Sequence, residues 1–230
     1  MKYILAIDQS TSGTKALLFD EDARLIGRSD LPHKQKISEN GWVAHDPMKI
    51  WENTKGVARA IIEKNGINKD EVIGIGISNQ RETALVWDRD TGLPVYDAIV
   101  WQCARGAKIC EGLSDYAEMV REHTGLRLSP YFSAAKIAWV LQNAGDLSGR
   151  HLCCGTIDSW LVFKMTHGKE FRCDYSNASR TQLFNIRTHK QPSYAAGYNS
   201  GMSPGRNQTR RSCKPCGCRR FPPLSAVSAI

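Results

Sequence analysis

The sequence has 230 residues with a formal net charge of +8, and 41% of the residues are hydrophobic. A chain of this length can bury a sizeable core, as one large domain or as one and a half ordinary ones. It contains no stretch near the roughly 20 apolar residues that span a bilayer, and a strand pattern begins at the N-terminus without a signal peptide, so we expect a cytoplasmic protein with no membrane partner.

The positive charge is concentrated in the last quarter of the chain. Nine of the 31 basic residues follow Asp174, the last acidic residue, so the first 174 residues hold 22 basic and 23 acidic side chains. A basic segment can indicate contact with nucleic acid. From residue 189 to residue 230 the chain is also rich in Pro, Ser and Cys and has no periodicity, which predicts a disordered tail.

The tail contains the sequence CKPCGC, which places Cys213, Cys216 and Cys218 close together. A CxxC pair is a weak metal signal by itself, because a tetrahedral zinc site needs four ligands and no second pair follows. The other cysteines are scattered through apolar stretches and are typical of small core residues in a reducing compartment.

The elements of the first half follow clear patterns. The runs YILAID, TKALLFD and ARLIGRSD predict three strands of an antiparallel meander. Asp46 and Pro47 form a typical helix start, and Gly66 marks the end of the helical periodicity. The apolar run EVIGIGIS predicts a strand in the centre of a sheet. Helical stretches then alternate with single strands, so the sequence predicts an α/β fold with a mixed sheet and flanking helices.

The turn between the first two strands, DQSTSGTK, is the first candidate site. Asp8 ends an apolar strand and could hold Mg²⁺, while hydroxyl and backbone N–H groups with Lys15 could surround a phosphate. The GxxxxGK[ST] pattern is absent and a strand follows the turn, so this is not a Walker loop. An ordinary hairpin turn is the alternative.

Three further clusters follow in the chain. Arg81 and Glu82 come directly after an apolar strand, and a donor fork beside a carboxylate suits neighbouring hydroxyl groups, although a solvated turn is the alternative. Trp101 ends a strand and could form an apolar wall or belong to the core. Tyr131 precedes a helix, where it could cover a ligand or only pack at the helix edge.

Taken in order, these clusters belong to a set of blocks that resembles the N-terminal half of the FGGY carbohydrate kinases, and most of all their glycerol kinase branch. The resemblance runs from Lys2 to about Thr188 and is carried by the blocks DQSTSGTK, HDPMKIW, NQRET, IVWQ, PYFSAAKIAWVLQN, GTIDSWLVFKMT and DYSNASRTQLFNI. It implies a ribonuclease-H-like (actin-like ATPase) domain over residues 1–188.

The resemblance also implies roles for individual residues. Asp8 would serve the Mg²⁺ site, and the ATP phosphates would lie along Thr11, Ser12, Gly13 and Lys15. Lys15 departs from the family, which usually has Arg there, and so keeps the charge but loses the bidentate fork. The substrate, a sugar or polyol and above all glycerol, would be held by Arg81, Glu82, Trp101 and Tyr131.

The implied reaction is transfer of the γ-phosphoryl group of ATP to a hydroxyl group, with a carboxylate of a second domain as the base. No acidic residue follows Asp174, and the second domain has no counterpart in this sequence. We therefore expect residues 189–230 to be frameshifted and the chain alone to be nearly inactive. A nucleic-acid partner is then not expected, whereas a homo-oligomer is, as in the family. The alternative is a non-catalytic module that senses a polyol or binds nucleic acid through its tail.

Overall fold

The computed structural model describes residues 1–189. The strands and α-helices follow one another in this order: β1 (Tyr3–Gln9), β2 (Gly13–Phe19), β3 (Leu25–Pro32), β4 (Lys36–Ile37), β5 (Val43–His45), α1 (Pro47–Lys64), β6 (Val72–Asn79), β7 (Ala84–Asp88), β8 (Ala98–Ile99), α2 (Ala107–Glu111), α3 (Ala117–Thr124), α4 (Ser133–Asn143), β9 (Leu152–Thr156), α5 (Ile157–Met165) and α6 (Tyr175–Ala178). Short 3₁₀ turns span Lys69–Glu71 and Ser114–Tyr116. The predicted tail beyond residue 189 lies outside the described residues.

The first sheet has the strand order β3-β2-β1-β6. Strands β1, β2 and β3 form the predicted antiparallel meander, and β6 pairs with β1 in parallel, which makes the sheet mixed as expected. Alternate side chains of β1, Leu5 and Ile7, are buried on one face. Asp8 stands on the opposite face, because successive residues of a strand point to opposite sides.

Helix α1 begins where the sequence predicted it. The Asp46 side chain accepts hydrogen bonds from the amides of Met48 and Lys49, and Pro47 occupies the first turn, where its missing N–H is not needed. The buried stripe of the helix, which packs on β1, β2 and β3, includes Ile50, Val57 and Ile61. These side chains and those of β1 form the main core.

The second sheet was not predicted as a separate unit. Its order is β4-β5-β8-β7-β9, and every pair in it is antiparallel. Helix α4 packs on β7, and α5 follows β9 directly. Trp87 of β7 meets Trp160 of α5 edge to face, with ring centroids 5.4 Å apart, deep in the core.

The prediction that EVIGIGIS forms a central strand was wrong for the part of the chain that the structure describes. Within residues 1–189, β6 is the edge strand of the first sheet and pairs with β1 alone. Val72 is buried, and the other residues of β6 are intermediate or exposed. A continuous apolar run is typical of a strand buried on both faces, and β6 departs from this because most of its residues are only partly buried or exposed.

None of the helices within residues 1–189 has both the length and the apolar composition needed to cross a membrane.

Candidate functional site

The site forms because β1 and β6 run in parallel. Gln9 lies opposite Asn79 at the ends of the two strands, and the amide of Gln80 donates to the carbonyl of Gln9 at 2.7 Å. Loops that leave the carboxyl ends of adjacent parallel strands meet at one edge of the sheet, which is where open α/β sheets bind ligands. The loop after β1 and the loop after β6 are therefore neighbours.

A cavity of about 270 Å³ lies between these loops. Trp101, which follows β8, and Tyr131, which precedes α4, complete its wall. Ten of the described residues line it: Asp8, Gln9, Ser10, Thr11, Asn79, Gln80, Arg81, Glu82, Trp101 and Tyr131. Six of the nine residues that the sequence singled out are thus brought together, whereas Ser12, Gly13 and Lys15 do not line the cavity.

Asp8 and Lys15 are cross-strand neighbours in β1 and β2, and Lys15 Nζ lies 3.4 Å from Asp8 Oδ2. Both side chains are more than a third exposed, so the pair adds little stability and both groups can reach a ligand. Within residues 1–189 there is no cluster of three or more His, Cys, Asp or Glu that could hold a metal ion. A single carboxylate can still serve Mg²⁺, because this ion usually keeps waters and phosphate oxygens as its other ligands.

The loop itself is a tight turn closed by Ser10, whose amide and hydroxyl both donate to the carbonyl of Gly13, at 2.8 and 3.0 Å. Gly13 has a structural reason to be glycine, because a Cβ atom there would lie 2.8 Å from the carbonyl oxygen of Leu31 in β3. Strand β3 therefore approaches Gly13 too closely for a side chain at that position.

A ring of hydrogen bonds joins the two loops below the cavity. Gln80 Nε2 donates to Gln9 Oε1 at 3.1 Å, Thr83 Oγ1 donates to Gln80 Oε1 at 2.9 Å, and the amide of Trp101 donates to Thr83 Oγ1 at 3.2 Å. Trp101 Nε1 then donates to Thr11 Oγ1 at 3.1 Å, which returns the connection to the loop after β1. Since Gln9, Gln80 and Thr83 are buried, the ring fixes both loops relative to each other.

Glu82 adopts an unusual backbone conformation, with φ of 62°, in the left-handed region that favours glycine. Its backbone carbonyl accepts a hydrogen bond from Ser133 Oγ at 3.1 Å, at the start of α4. Its carboxylate is almost fully buried and pairs with Arg180, whose Nε lies 2.5 Å from Oε1. A buried carboxylate held by a guanidinium is an acceptor of defined direction.

Tyr131 is 37% exposed, and its ring centroid lies 5.8 Å from that of Trp101. The backbone around Tyr131 is held by hydrogen bonds from the fully buried Lys136. Lys136 Nζ donates to the carbonyls of Pro130 at 2.8 Å and Phe132 at 3.2 Å, and also to that of Tyr131. Burial lowers the pKa of Lys136 to about 7.

A pair of histidines lies behind the loop after β1. The amide of His33 donates to the carbonyl of Ser12 at 3.1 Å, and its ring meets that of His45 edge to face at 4.6 Å. Burial, with repulsion from His33, lowers the pKa of His45 to about 4, and burial also lowers the pKa of His33.

Sequence reasoning assigned no individual role to six residues of the site. Four of them line the cavity: Gln9, Ser10, Asn79 and Gln80. The other two, Lys136 and Arg180, contact residues of the cavity wall. Gln80 lies in the block NQRET, where only its two charged members were assigned, so its position beside them was a usable signal. Arg180 is 98 residues from Glu82 in sequence, and nothing in its local pattern indicates the pairing.

The model of the N-terminal domain of the FGGY family of carbohydrate kinases matches residues 3–194. This chain belongs to the FGGY family. The match ends six residues beyond the boundary predicted at residue 188, and it covers every candidate site residue.

Curated relatives of this FGGY chain include glycerol kinases. That of Fusobacterium nucleatum is 48% identical over 200 residues, which are 83% of this chain and 40% of the relative. That of Vibrio atlanticus is 49% identical over 194 residues, 80% of this chain and 38% of the relative. The chain thus spans about two fifths of the length of the curated relatives that it matches.

Solved structures confirm the predicted fold class. The glycerol kinase of Plasmodium falciparum, solved with ADP, is 36% identical and superposes with a TM-score of 0.77 over 86% of this chain and 40% of that chain. A xylulose kinase from Brucella ovis, at 22% identity, has a TM-score of 0.79 over 93% of this chain and 42% of that chain, and this likeness shows the fold alone. The FGGY chain therefore has the actin-like α/β fold.

Proposed function

We propose that this chain provides the substrate-binding and phosphate-binding parts of an ATP-dependent glycerol kinase. The observation that carries the proposal is the shared cavity, in which Asp8 and Thr11 face Arg81, Glu82 and Tyr131. Phosphoryl transfer requires the hydroxyl group and the phosphate to meet in line, and it is catalysed mostly by positioning and neutralisation of charge. The names of the relatives supply glycerol as the substrate.

The polyol side would use three kinds of contact. Arg81 is exposed at the cavity and offers several N–H donors, while Glu82 offers acceptor oxygens, of which Oε1 is already held by Arg180. Adjacent hydroxyl groups both donate and accept, so this donor and acceptor pair matches them. Trp101 and Tyr131 would cover the carbon chain, and the apolar contact would exclude water from the reacting hydroxyl group.

The phosphate side would use the loop after β1. The backbone and hydroxyl groups of Thr11 and Ser12, with Gly13, would contact phosphate oxygens, and Lys15 would neutralise charge. Asp8 would hold Mg²⁺ through oxygen, and the ion would supply charge neutralisation to the phosphates when bound.

We assign no residue of this chain as the carboxylate that would take the proton of the hydroxyl group, since the family resemblance implies a base in a second domain and residues 175–230 contain no Asp or Glu. We therefore propose that residues 1–188 form one FGGY N-terminal domain and that turnover requires residues outside this sequence. A cytoplasmic location and assembly into a homo-oligomer belong to the same proposal.

Glycerol binding tests the proposal directly. In the ¹⁵N-labelled full chain, glycerol should shift the indole Nε1–H signal of Trp101, which the spectrum of Trp101→Phe identifies. Glu82→Gln should weaken binding about tenfold or more, because hydrogen bonds to a charged group contribute about 1.5–3 kcal/mol. Glu118→Gln is the matched control, since the Glu118 side chain is 89% exposed on α3. A Trp101 signal that does not respond to glycerol, or an equal response in both variants, would overturn the proposal.

A second titration with inorganic phosphate tests the loop after β1. Phosphate should shift the amide signals of Thr11 and Ser12, and Lys15→Met should weaken that response because one positive charge is removed. Lys2→Met, at an exposed position away from the cavity, is the control. Shifts spread over surface lysines instead of the loop would contradict the assignment.

A further inference from the structure

Arg180 makes contacts that no role assigned so far explains. It follows the short helix α6 and is far in sequence from every cavity residue, yet it touches two of the elements that form the cavity wall. Its Nε lies 2.5 Å from Glu82 Oε1, and its guanidinium lies 4.9 Å from the ring centroid of Phe132 and 5.8 Å from that of Tyr131.

The backbone beside Arg180 is anchored to the same wall. The carbonyl of Thr181 accepts a hydrogen bond from the amide of Ala134, in the first turn of α4, at 2.9 Å. The same turn contributes Ser133, whose hydroxyl holds the backbone carbonyl of Glu82. The start of α4 therefore fixes both ends of the Arg180–Glu82 pair, and the pair has a defined place relative to the cavity.

The geometry of a guanidinium allows both contacts at once. Its edge donates to a carboxylate in the plane of the group, while its face packs on aromatic rings. The Glu82 side chain is only 5% exposed and the Arg180 side chain is 31% exposed, so the carboxylate depends on this cation more than a surface carboxylate would. Removal of Arg180 would leave a buried carboxylate without its hydrogen-bonded cation.

We propose that Arg180 is a positioning residue for the polyol site. It holds Glu82 through Oε1, which leaves Oε2 as the acceptor for a hydroxyl group, and it supports the Tyr131 ring, which lies beside Trp101. Arg180 does not line the cavity, so it acts through these two side chains. This inference rests on the proposed function. It identifies Arg180 as the residue that sets the distance between the Glu82 carboxylate, which accepts a hydrogen bond from the hydroxyl group, and the Tyr131 ring, which covers the ligand.

The test uses the full chain with glycerol as the probe. Arg180→Met should weaken glycerol binding about tenfold or more, shift the ¹³Cδ signal of Glu82 and broaden or shift the ring signals of Tyr131. Arg180→Lys keeps the charge but loses the planar face, so the Glu82 signal should stay closer to wild type than the Tyr131 signals do. Arg187→Met, at an exposed arginine of the same segment, is the control and should leave all three readouts unchanged.

The outcomes separate the inference from the proposed function. A wild-type chain without glycerol binding overturns the proposed function, while the Glu82 and Tyr131 signals in ligand-free variants still report whether Arg180 holds them. Unchanged signals and unchanged affinity in both Arg180 variants overturn the inference alone. If Arg180→Met does not fold, Arg180→Lys decides, because an unmoved Tyr131 ring in that variant contradicts the role.

Discussion

Trp101 Nε1 donates a hydrogen bond to Thr11 Oγ1 at 3.1 Å, and this bond connects two loops that are 90 residues apart in sequence. One loop carries the proposed phosphate contacts and the other carries the aromatic wall of the proposed polyol site. A change at either residue should therefore be detected at the other.

Thr11→Val should remove the acceptor while it preserves the shape of the side chain. We expect the Trp101 indole N–H to exchange faster with solvent and its NMR signal to move, and we expect the free energy of unfolding to fall by about 1 kcal/mol. Thr11→Ser retains the hydroxyl group and should restore the wild-type signal. A Trp101 signal that is identical in Thr11→Val and wild type would show that the bond does not form in solution.

Gly13→Ala should destabilise the chain, because the added Cβ would lie 2.8 Å from the carbonyl oxygen of Leu31. The backbones of β2 and β3 must then move apart, at a cost of about 1–3 kcal/mol in the free energy of unfolding. Gly76→Ala is the matched control, since a Cβ there meets no atom within 4 Å. Denaturant titrations of both variants measure the difference, and equal stabilities would contradict the steric explanation.

Acid should destabilise the chain through His45. Its pKa is lowered by burial from 6.5 to about 4 in the folded state, so the unfolded chain takes up the proton first as the pH falls. The contribution of His45 to the free energy of unfolding is therefore complete above pH 6.5. It falls by about 3 kcal/mol as the pH is lowered to about 4. His45→Leu should remove this loss. His151→Gln, at an exposed histidine paired with Asp90, should not, and similar pH profiles for the two variants would contradict the assignment.

Asp158 should make the folded chain less stable as the pH rises, in nearly the same pH range as the effect of His45. Burial raises its pKa from 3.8 to about 6, so the folded chain holds the proton longer and loses stability as the pH rises from 3.8 to 6. Asp158→Asn should therefore be more stable than wild type at pH 7, by up to about 3 kcal/mol, and the gain should vanish near pH 4. Asp22→Asn, at an exposed aspartate, is the control. A gain that is independent of pH would argue against ionisation as its cause.

The chain alone should transfer phosphoryl groups very slowly. General acid–base catalysis contributes about 10²–10⁴ in rate, and the base is proposed to lie outside this sequence. A coupled assay of ADP release with glycerol and Mg-ATP measures the rate, with a full-length glycerol kinase as the reference. Turnover near that of the reference would show that the catalytic machinery is complete within these 230 residues.

The sequence was most informative where local chemistry decides the structure. Alternation predicted the meander, and the Asp46–Pro47 pair predicted the start of α1, because caps and strand faces depend on near neighbours. The position of β6 and the second sheet depend on partners that are distant in sequence, so local patterns could not predict them. The same holds for Arg180 and Lys136, whose contacts with the cavity wall exist only after folding.

Strand β6 also determines how the isolated chain should behave in solution. It contains no charged residue, and within residues 1–189 its outer edge has no strand beside it. Such an edge offers unpaired N–H and C=O groups to any extended segment, and the usual protections of a charge or a proline are absent from it. The isolated chain should therefore self-associate through this edge. An added strand of complementary sequence should pair with the edge and keep the chain in solution.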